Sequence, residues 1–246
     1  MSMSKRKQRK VRDNVTHFEE IMNGDAPFAY REAFKALRTN LSFVSMSGKY
    51  KKIIVTSAIP DEGKTTIAIN LAASLAETGS RVILIDCDLR NPSIHRYLLM
   101  DNRNVEGLTG ILAGTTTLSD NVVNTHTKLK FDFIPSGFIP PNPAELLNSP
   151  LMRDLLKALE FKYDYIICDT PPVGVVTDAA ALSKYCDGVL LVVRQKFSTK
   201  DQIHQAKQNL DKVQAKIMGV VMSRYDLNQD RDGAGRYSYS YGYGRE

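Results

Sequence analysis

The sequence predicts an α/β protein of three layers, a mostly parallel central sheet with helices on both faces. Three observations carry that prediction. Apolar, β-branched runs at 52–57, 81–85, 131–134, 163–168, 188–193 and 216–222 alternate with helix-patterned stretches, the spacing of strand–helix–strand units. The run Gly188–Val193 is apolar throughout and reads as a fully buried strand. Three of the runs stop at residues that can handle phosphate or a cation: a Gly63-Lys64-Thr65 loop, Asp86 and Asp169. Parallel α/β sheets place their ligands at such carboxyl ends.

The chain has 246 residues, 43% hydrophobic and 24% charged, enough for one large or two small domains with a sizeable core. Its net charge of +6 is local. Lys5, Arg6, Lys7, Arg9, Lys10 and Arg12 stand in the first twelve residues without an acid, and the other 27 basic residues match 27 acidic ones. The basicity therefore belongs to a tail, and no nucleic-acid partner is expected. That tail is either a solvated arm or is drawn to an anionic inner leaflet, at about 1 kcal/mol per basic residue. No run is long enough to cross a bilayer, and no apolar stretch follows the basic start, so neither a span nor a signal peptide is expected. Three cysteines without metal-type spacing read as reduced thiols in the cytoplasm, and the four histidines suggest no metal site. The organisation predicted is a basic disordered tail over 1–24, a globular domain over 25–224 and a disordered low-complexity tail over 225–246.

In chain order, Phe34, Leu37, Leu41 and Val44 form one apolar face of a helix over 28–46, with Glu32, Lys35 and Arg38 sweeping toward its polar side. The strand at 52–57 runs into Ala58-Ile59-Pro60-Asp61-Glu62-Gly63-Lys64-Thr65-Thr66, and a helix over 65–78 stopped by Gly79 follows. Strand, tight loop ending Gly-Lys-Thr, then helix is the context of a Walker A loop, with Ala58 where the first glycine usually stands. Ala58, Pro60, Asp61, Glu62, Gly63, Lys64, Thr65 and Thr66 are thus the candidate nucleotide-binding residues. Loop amides and the helix N-terminus can wrap phosphates; Lys64 would reach the β- and γ-phosphates, and Thr65 would bind magnesium. The fold is then a P-loop NTPase.

The next strand ends at Asp86 and Asp88, which point to one side because residues two apart in an extended chain do so. Two such carboxylates repel unless a cation lies beside them. Short helices are expected around 107–113 and 118–124, a strand at 131–134, a rigid loop at Pro140–Pro143 and a helix from Leu151 to Glu160. The strand at 163–168 delivers Asp169 in a Walker B arrangement. A helix over 175–186, the buried strand, a long helix over 199–213 and the last strand at 216–222 complete the domain. Beyond it, Tyr237, Tyr239, Tyr241 and Tyr243 alternate with Ser238, Ser240 and Gly242, and no aliphatic residue follows Ala234. That segment cannot build a core. From residue 224 it has a root-mean-square reach of about 25 Å and spans about 70 Å when extended, enough to enter a neighbouring subunit as a substrate.

Taken together, Ala58–Thr66, Ile83–Pro92, Ile166–Pro172 and the Tyr237–Tyr243 run resemble the bacterial tyrosine kinases, in particular the cytoplasmic kinase of Gram-positive capsule and exopolysaccharide systems. The resemblance implies an ATP- and Mg2+-dependent protein-tyrosine kinase that autophosphorylates Tyr237, Tyr239, Tyr241 and Tyr243 between subunits and regulates polysaccharide synthesis. It implies Lys64, Asp86, Asp88 and Asp169 as catalytic residues and Thr65, Asp86, Asp88 and Asp169 around the metal. Glu32, Lys35 and Arg38 match the ring-contact motif Glu-x-x-Arg-x-x-Arg, with lysine in the middle. The implied partners are further copies in a ring, an octamer being one candidate size, a membrane adaptor with an activating cytoplasmic C-terminal segment, and a cognate tyrosine phosphatase. The implied location is cytoplasmic, peripheral at the inner membrane face. Ser223 stands where the family often has an adenine-reading asparagine. The rival reading is a partitioning or positioning ATPase of the same fold, which explains the Walker motifs but needs no tyrosine run.

Overall fold

Branched aliphatic side chains pack best on a pleated surface, and the segments rich in them form a single sheet. The structure, a computed structural model, describes residues 21, 26–46, 50–100, 105–124 and 129–225. Its strands are β1 (Lys52–Ser57), β2 (Val82–Asp86), β3 (Val123–Asn124), β4 (Asp132–Ile134), β5 (Tyr165–Asp169), β6 (Gly188–Arg194) and β7 (Ile217–Ser223). Their spatial order is β3-β4-β2-β5-β1-β6-β7. All neighbours are parallel except β3 and β4. The register sets Asp86 beside Asp169 across β2 and β5. The carboxyl ends of β1, β2 and β5 therefore lie side by side, the predicted position for a ligand.

The helices are α1 (Phe28–Met46), α2 (Lys64–Ala76), α3 (Ile94–Tyr97), α4 (Gly107–Ala113), α5 (Leu118–Asn121), α6 (Pro143–Leu147), α7 (Pro150–Lys162), α8 (Asp178–Ser183) and α9 (Lys200–Lys212). Two apolar clusters flank the sheet. One gathers Ile54, Ile83, Ile85 and Ile166 with Leu155, Leu156 and Leu159 of α7, Leu182 of α8 and Leu210 of α9. The other gathers Ile53, Val55, Leu84 and Ile167 with Ile67, Leu71 and Leu75 of α2 and with Phe34 and Leu41 of α1. Alternate strand residues face opposite clusters, as the two-residue period requires. The three-layer α/β arrangement is thus the one the sequence predicts.

Polar bonds also join α1 to α2. Asn70 Nδ2 donates to Tyr30 Oη (2.9 Å) and to the Thr66 carbonyl (2.9 Å), and Ser74 Oγ donates to the Phe34 carbonyl (3.3 Å). A capping box fixes the start of α9, where Thr199 Oγ1 accepts from Gln202 N and Gln202 Oε1 accepts from Thr199 N.

Two expected helices are shorter than read. The one expected over 118–124 stops at Asn121, and Val123–Asn124 pairs antiparallel with β4 as β3. The adjacent β-branched pair Val122-Val123 favours that extension. The helix expected over 175–186 starts only at Asp178, because Val175 and Val176 both donate to the Pro172 carbonyl in a separate turn. The three cysteines are free thiols. Among the described residues no helix is long and apolar enough to cross a membrane. The basic segment at 5–12 and the run Tyr237–Tyr243 lie outside the described residues.

Candidate active site

The loop after β1 needs left-handed backbone at two positions, Asp61 (φ 63°) and Gly63 (φ 84°). Glycine adopts such angles without cost. A Cβ on Gly63 would meet nothing closer than Ser223 Oγ at 3.5 Å, so backbone angle and not space calls for glycine there. Ala58 is fully buried and has no positive φ, so alanine fits where the motif usually has glycine. Its carbonyl lies 2.2 Å from where a Cβ on Gly174 would stand, which draws the loop after β5 tightly against the first turn.

Glu62, a candidate nucleotide contact by sequence, is wholly buried in the loop's support. Its carboxylate accepts from Ile59 N (2.9 Å), Arg194 N (3.2 Å) and Ser198 Oγ (2.5 Å), and its carbonyl accepts from Ser223 Oγ (2.5 Å). Those bonds tie the loop to β6, β7 and the approach to α9. Ser223, at the position the resemblance links to adenine, is spent on this brace.

Lys64 opens α2 and points into a cluster of acids. Its Nζ lies 3.1 Å from Asp88 Oδ2, 3.9 Å from Asp169 Oδ1 and 3.3 Å from Thr65 Oγ1. Thr65 Oγ1 donates to Asp169 Oδ2 (2.6 Å) and lies 3.2 Å from Ser93 Oγ. Asp86 takes backbone N–H groups on both oxygens, from Asp88 (3.2 Å) and Ile94 (3.3 Å), and Asp88 Oδ1 accepts from Asn91 N (3.0 Å). The structure thus brings Lys64, Thr65, Asp86, Asp88 and Asp169 together. Thr66 lies one step away, its hydroxyl 3.5 Å from Tyr97 Oη.

Burial pushes the Asp86 carboxyl up to about 8, helped by the charges of Asp169 and Asp88 and opposed by Lys64. Burial likewise lifts Asp169 to about 6, against Lys64 and the Thr65 hydrogen bond. Burial alone would lower the Lys64 ammonium, but Asp169, Asp88 and Asp86 outweigh it and hold its pKa above the usual value.

One atom marks the site as suited to a cation. Asp169 Oδ1 is buried and accepts no hydrogen bond. Among the described residues, no three histidine, cysteine or carboxylate side chains converge closely enough to hold a metal unaided. Magnesium is a hard cation that commonly takes one or two protein oxygens and fills its shell with phosphate and water. The Asp169 carboxylate and the Thr65 hydroxyl that donates to it are residues that could hold one.

Above this floor opens a cleft of about 370 Å³ whose walls include Pro60, Asp61, Arg90, Arg96, Tyr97 and Pro172. The sequence reading assigned no role to Arg90, Asp178 or Arg96. Arg90 is bidentate to the fully buried Asp178, with both bonds at 2.9 Å. Of the three α1 residues matched to a ring contact, Lys35 donates to Glu32 (2.7 Å) on the surface. Arg38 turns inward, donating to the Ser74 carbonyl and to Ser74 Oγ (3.1 Å), with Glu77 at 3.8 Å.

Sheet order, loop and flanking acids define the P-loop NTPase fold. A family model described as an AAA domain matches residues 51–222. The tyrosine-protein kinase YwqD of Bacillus subtilis is 38% identical over 198 residues, 80% of this chain and 82% of that protein. The tyrosine-protein kinase CpsD of Streptococcus pneumoniae serotype 4 is 40% identical over 203 residues, 82% of this chain and 87% of its own length. Among solved structures, the kinase domain of the Escherichia coli tyrosine kinase ETK superposes with a TM-score of 0.74 at 35% identity, covering 87% of this chain and 80% of that one. The chain belongs to the bacterial tyrosine-protein kinase family. The septum site-determining protein MinD of Pyrococcus horikoshii, solved with Mg-ADP, is also similar, at 26% identity and TM-score 0.60, covering 71% of this chain and 70% of its own.

Proposed function

We propose that this kinase transfers the γ-phosphoryl group of ATP to tyrosines of its own C-terminal run, Tyr237, Tyr239, Tyr241 and Tyr243, presented by a neighbouring copy. The observation that carries the reading is the single ammonium of Lys64 set among three buried carboxyl groups, beneath an open cleft that Lys64, Thr65 and Asp88 line. Such an arrangement suits phosphoryl transfer, which asks mainly for positioning and charge neutralisation. Lys64 holds the β- and γ-phosphates, and the loop amides from Gly63 to Thr66 align them. Thr65 and Asp169, together with Asp86 and Asp88, would hold magnesium, which would supply further neutralising charge. The tyrosine oxygen bonds to the γ-phosphorus as the bond to the bridging oxygen breaks, ADP leaves, and the phenolic proton passes to a carboxylate. A free phenol has a pKa near about 10 and is neutral at the start. Asp86, whose two oxygens are oriented by the backbone N–H groups of Asp88 and Ile94, is the acceptor in this reading.

The same reading makes the protein a regulator of capsule or exopolysaccharide synthesis. It works at the inner membrane face as a ring, with a membrane adaptor as activator and a phosphatase as its opposite. Glu32 and Lys35, exposed on α1, are the side chains of the proposed ring contact available to a neighbour.

Intact mass after incubation with magnesium and ATP, with the adaptor's cytoplasmic segment present, tests the proposal. Steps of one phosphate group are expected, and replacing all four tyrosines by phenylalanine removes them. Released phosphate with unchanged protein mass would replace the kinase reading with the partitioning-ATPase one.

A further inference from the structure

Two arginines stand on the wall of the cleft, and their charges are treated differently. Arg90 is neutralised by its two bonds to Asp178. Arg96 is exposed, and its guanidinium donates to a neutral acceptor, the Pro92 carbonyl at 3.1 Å. Among the described residues no carboxylate pairs with it. An arginine fork left open toward a cleft is suited to a planar or tetrahedral oxyanion.

Its position is fixed relative to the transfer site. Ser93, which precedes α3, has its hydroxyl 3.2 Å from Thr65 Oγ1, and Tyr97, at the end of α3, faces Thr66. Arg96 lies between them in sequence, three residues beyond Ser93, a helical rise of about 4.5 Å. The acceptor has a matching repeat. Tyrosine recurs at every second position from 237 to 243. In an extended chain such residues share a side and stand about 7 Å apart. With one phenol at the transfer site, the next tyrosine on that side of an extended chain would stand about 7 Å away. Once phosphorylated, it carries roughly −1.5 to −2 charges.

We infer that Arg96 forms an aryl-phosphate subsite that holds a phosphotyrosine two positions from the tyrosine being modified, so that each phosphate added to the run favours the next. The inference rests on the kinase reading of the same cleft and adds an order to it. Phosphate groups accumulate on chains that already carry one, instead of spreading evenly over all copies.

The test uses the full chain with magnesium and a non-hydrolysable ATP analogue, and fluorescent peptides of residues 234–246, unmodified or carrying phosphotyrosine at Tyr239. The phosphopeptide is expected to bind about tenfold more tightly, the scale of one charge-assisted contact. Arg96→Gln is expected to bring the ratio to one, and Arg96→Lys to restore part of it. A ratio near one in the unaltered protein would overturn the subsite, as would a ratio that survives Arg96→Gln. Equal displacement of the phosphopeptide by the same concentration of inorganic phosphate would assign Arg96 to the free anion and also overturn it. A parallel incubation with ATP separates the two readings. Phosphate transfer to both peptides without preference sinks the subsite alone, whereas no transfer to peptide or tail sinks the kinase proposal.

Discussion

At the amino-terminal end of the sheet, Asp187 accepts the backbone N–H groups of Lys51 and Lys52, each at 2.8 Å, and lies 3.4 Å from the Lys52 ammonium, which Glu160 also holds. Arg81 grips Asp164 with backbone and guanidinium and holds that carboxyl down at about 2. At the carboxyl end, one ammonium faces three buried carboxyl groups, two of them pushed up, and Asp169 keeps an oxygen with no hydrogen bond. The same residue types sit at both ends of the same strands. One end has matched its charges and is finished as a structure. The other is left with an excess of acid, which is stable only with protons or a cation added. That surplus marks the working end more clearly than any motif does.

Removing the ammonium tests this contrast most severely. Lys64→Met is expected to lower phosphoryl transfer by at least about 10²-fold, the scale of one lost charge contact to a transition state. Phosphate incorporation per minute measures it, and a loss smaller than tenfold would contradict the role given to Lys64.

Acidity gives a second test. Asp86 and Asp169 hold protons more tightly folded than unfolded. Between about pH 4 and the raised values near 8 and 6, the native state therefore binds more protons, and stability falls as pH rises. Thermal unfolding of the protein without nucleotide or magnesium should show Tm decreasing from about pH 4 to pH 8. Asp86→Asn should flatten the upper part of that slope, and an unchanged slope would place the strain elsewhere.

The finished end should respond in stability and not in chemistry. Asp187→Ala leaves two backbone donors and Lys52 with poorer partners, at a cost of about 2 kcal/mol. For a chain of this size that lowers Tm by roughly 4–8 °C. The KM for ATP should not change, and a shift in it would mean the two ends are not separable.

Much of this was legible because it is local. The strand β1, the Gly63-Lys64-Thr65 loop and the acids ending β2 and β5 are each written within a dozen consecutive residues. Patterns of period two and 3.6 then placed most elements within a few positions. What the sequence hid is made by contacts across long separations. Glu62 reads as one more loop residue until Arg194, Ser198 and Ser223 are seen to converge on it. Arg90 and Asp178 are 88 positions apart and carry no spacing signal. Arg38 matches a surface motif, yet its partner Ser74 sits on the next helix. β3 was missed because two residues of strand fall below any periodicity.

The brace on Glu62 has a mechanical side. Ser223 closes β7, and its hydroxyl donates to the Glu62 carbonyl in the loop after β1. The far edge of the sheet is thereby fastened to that loop through one oxygen, so a displacement of β7 reaches the loop without crossing the core.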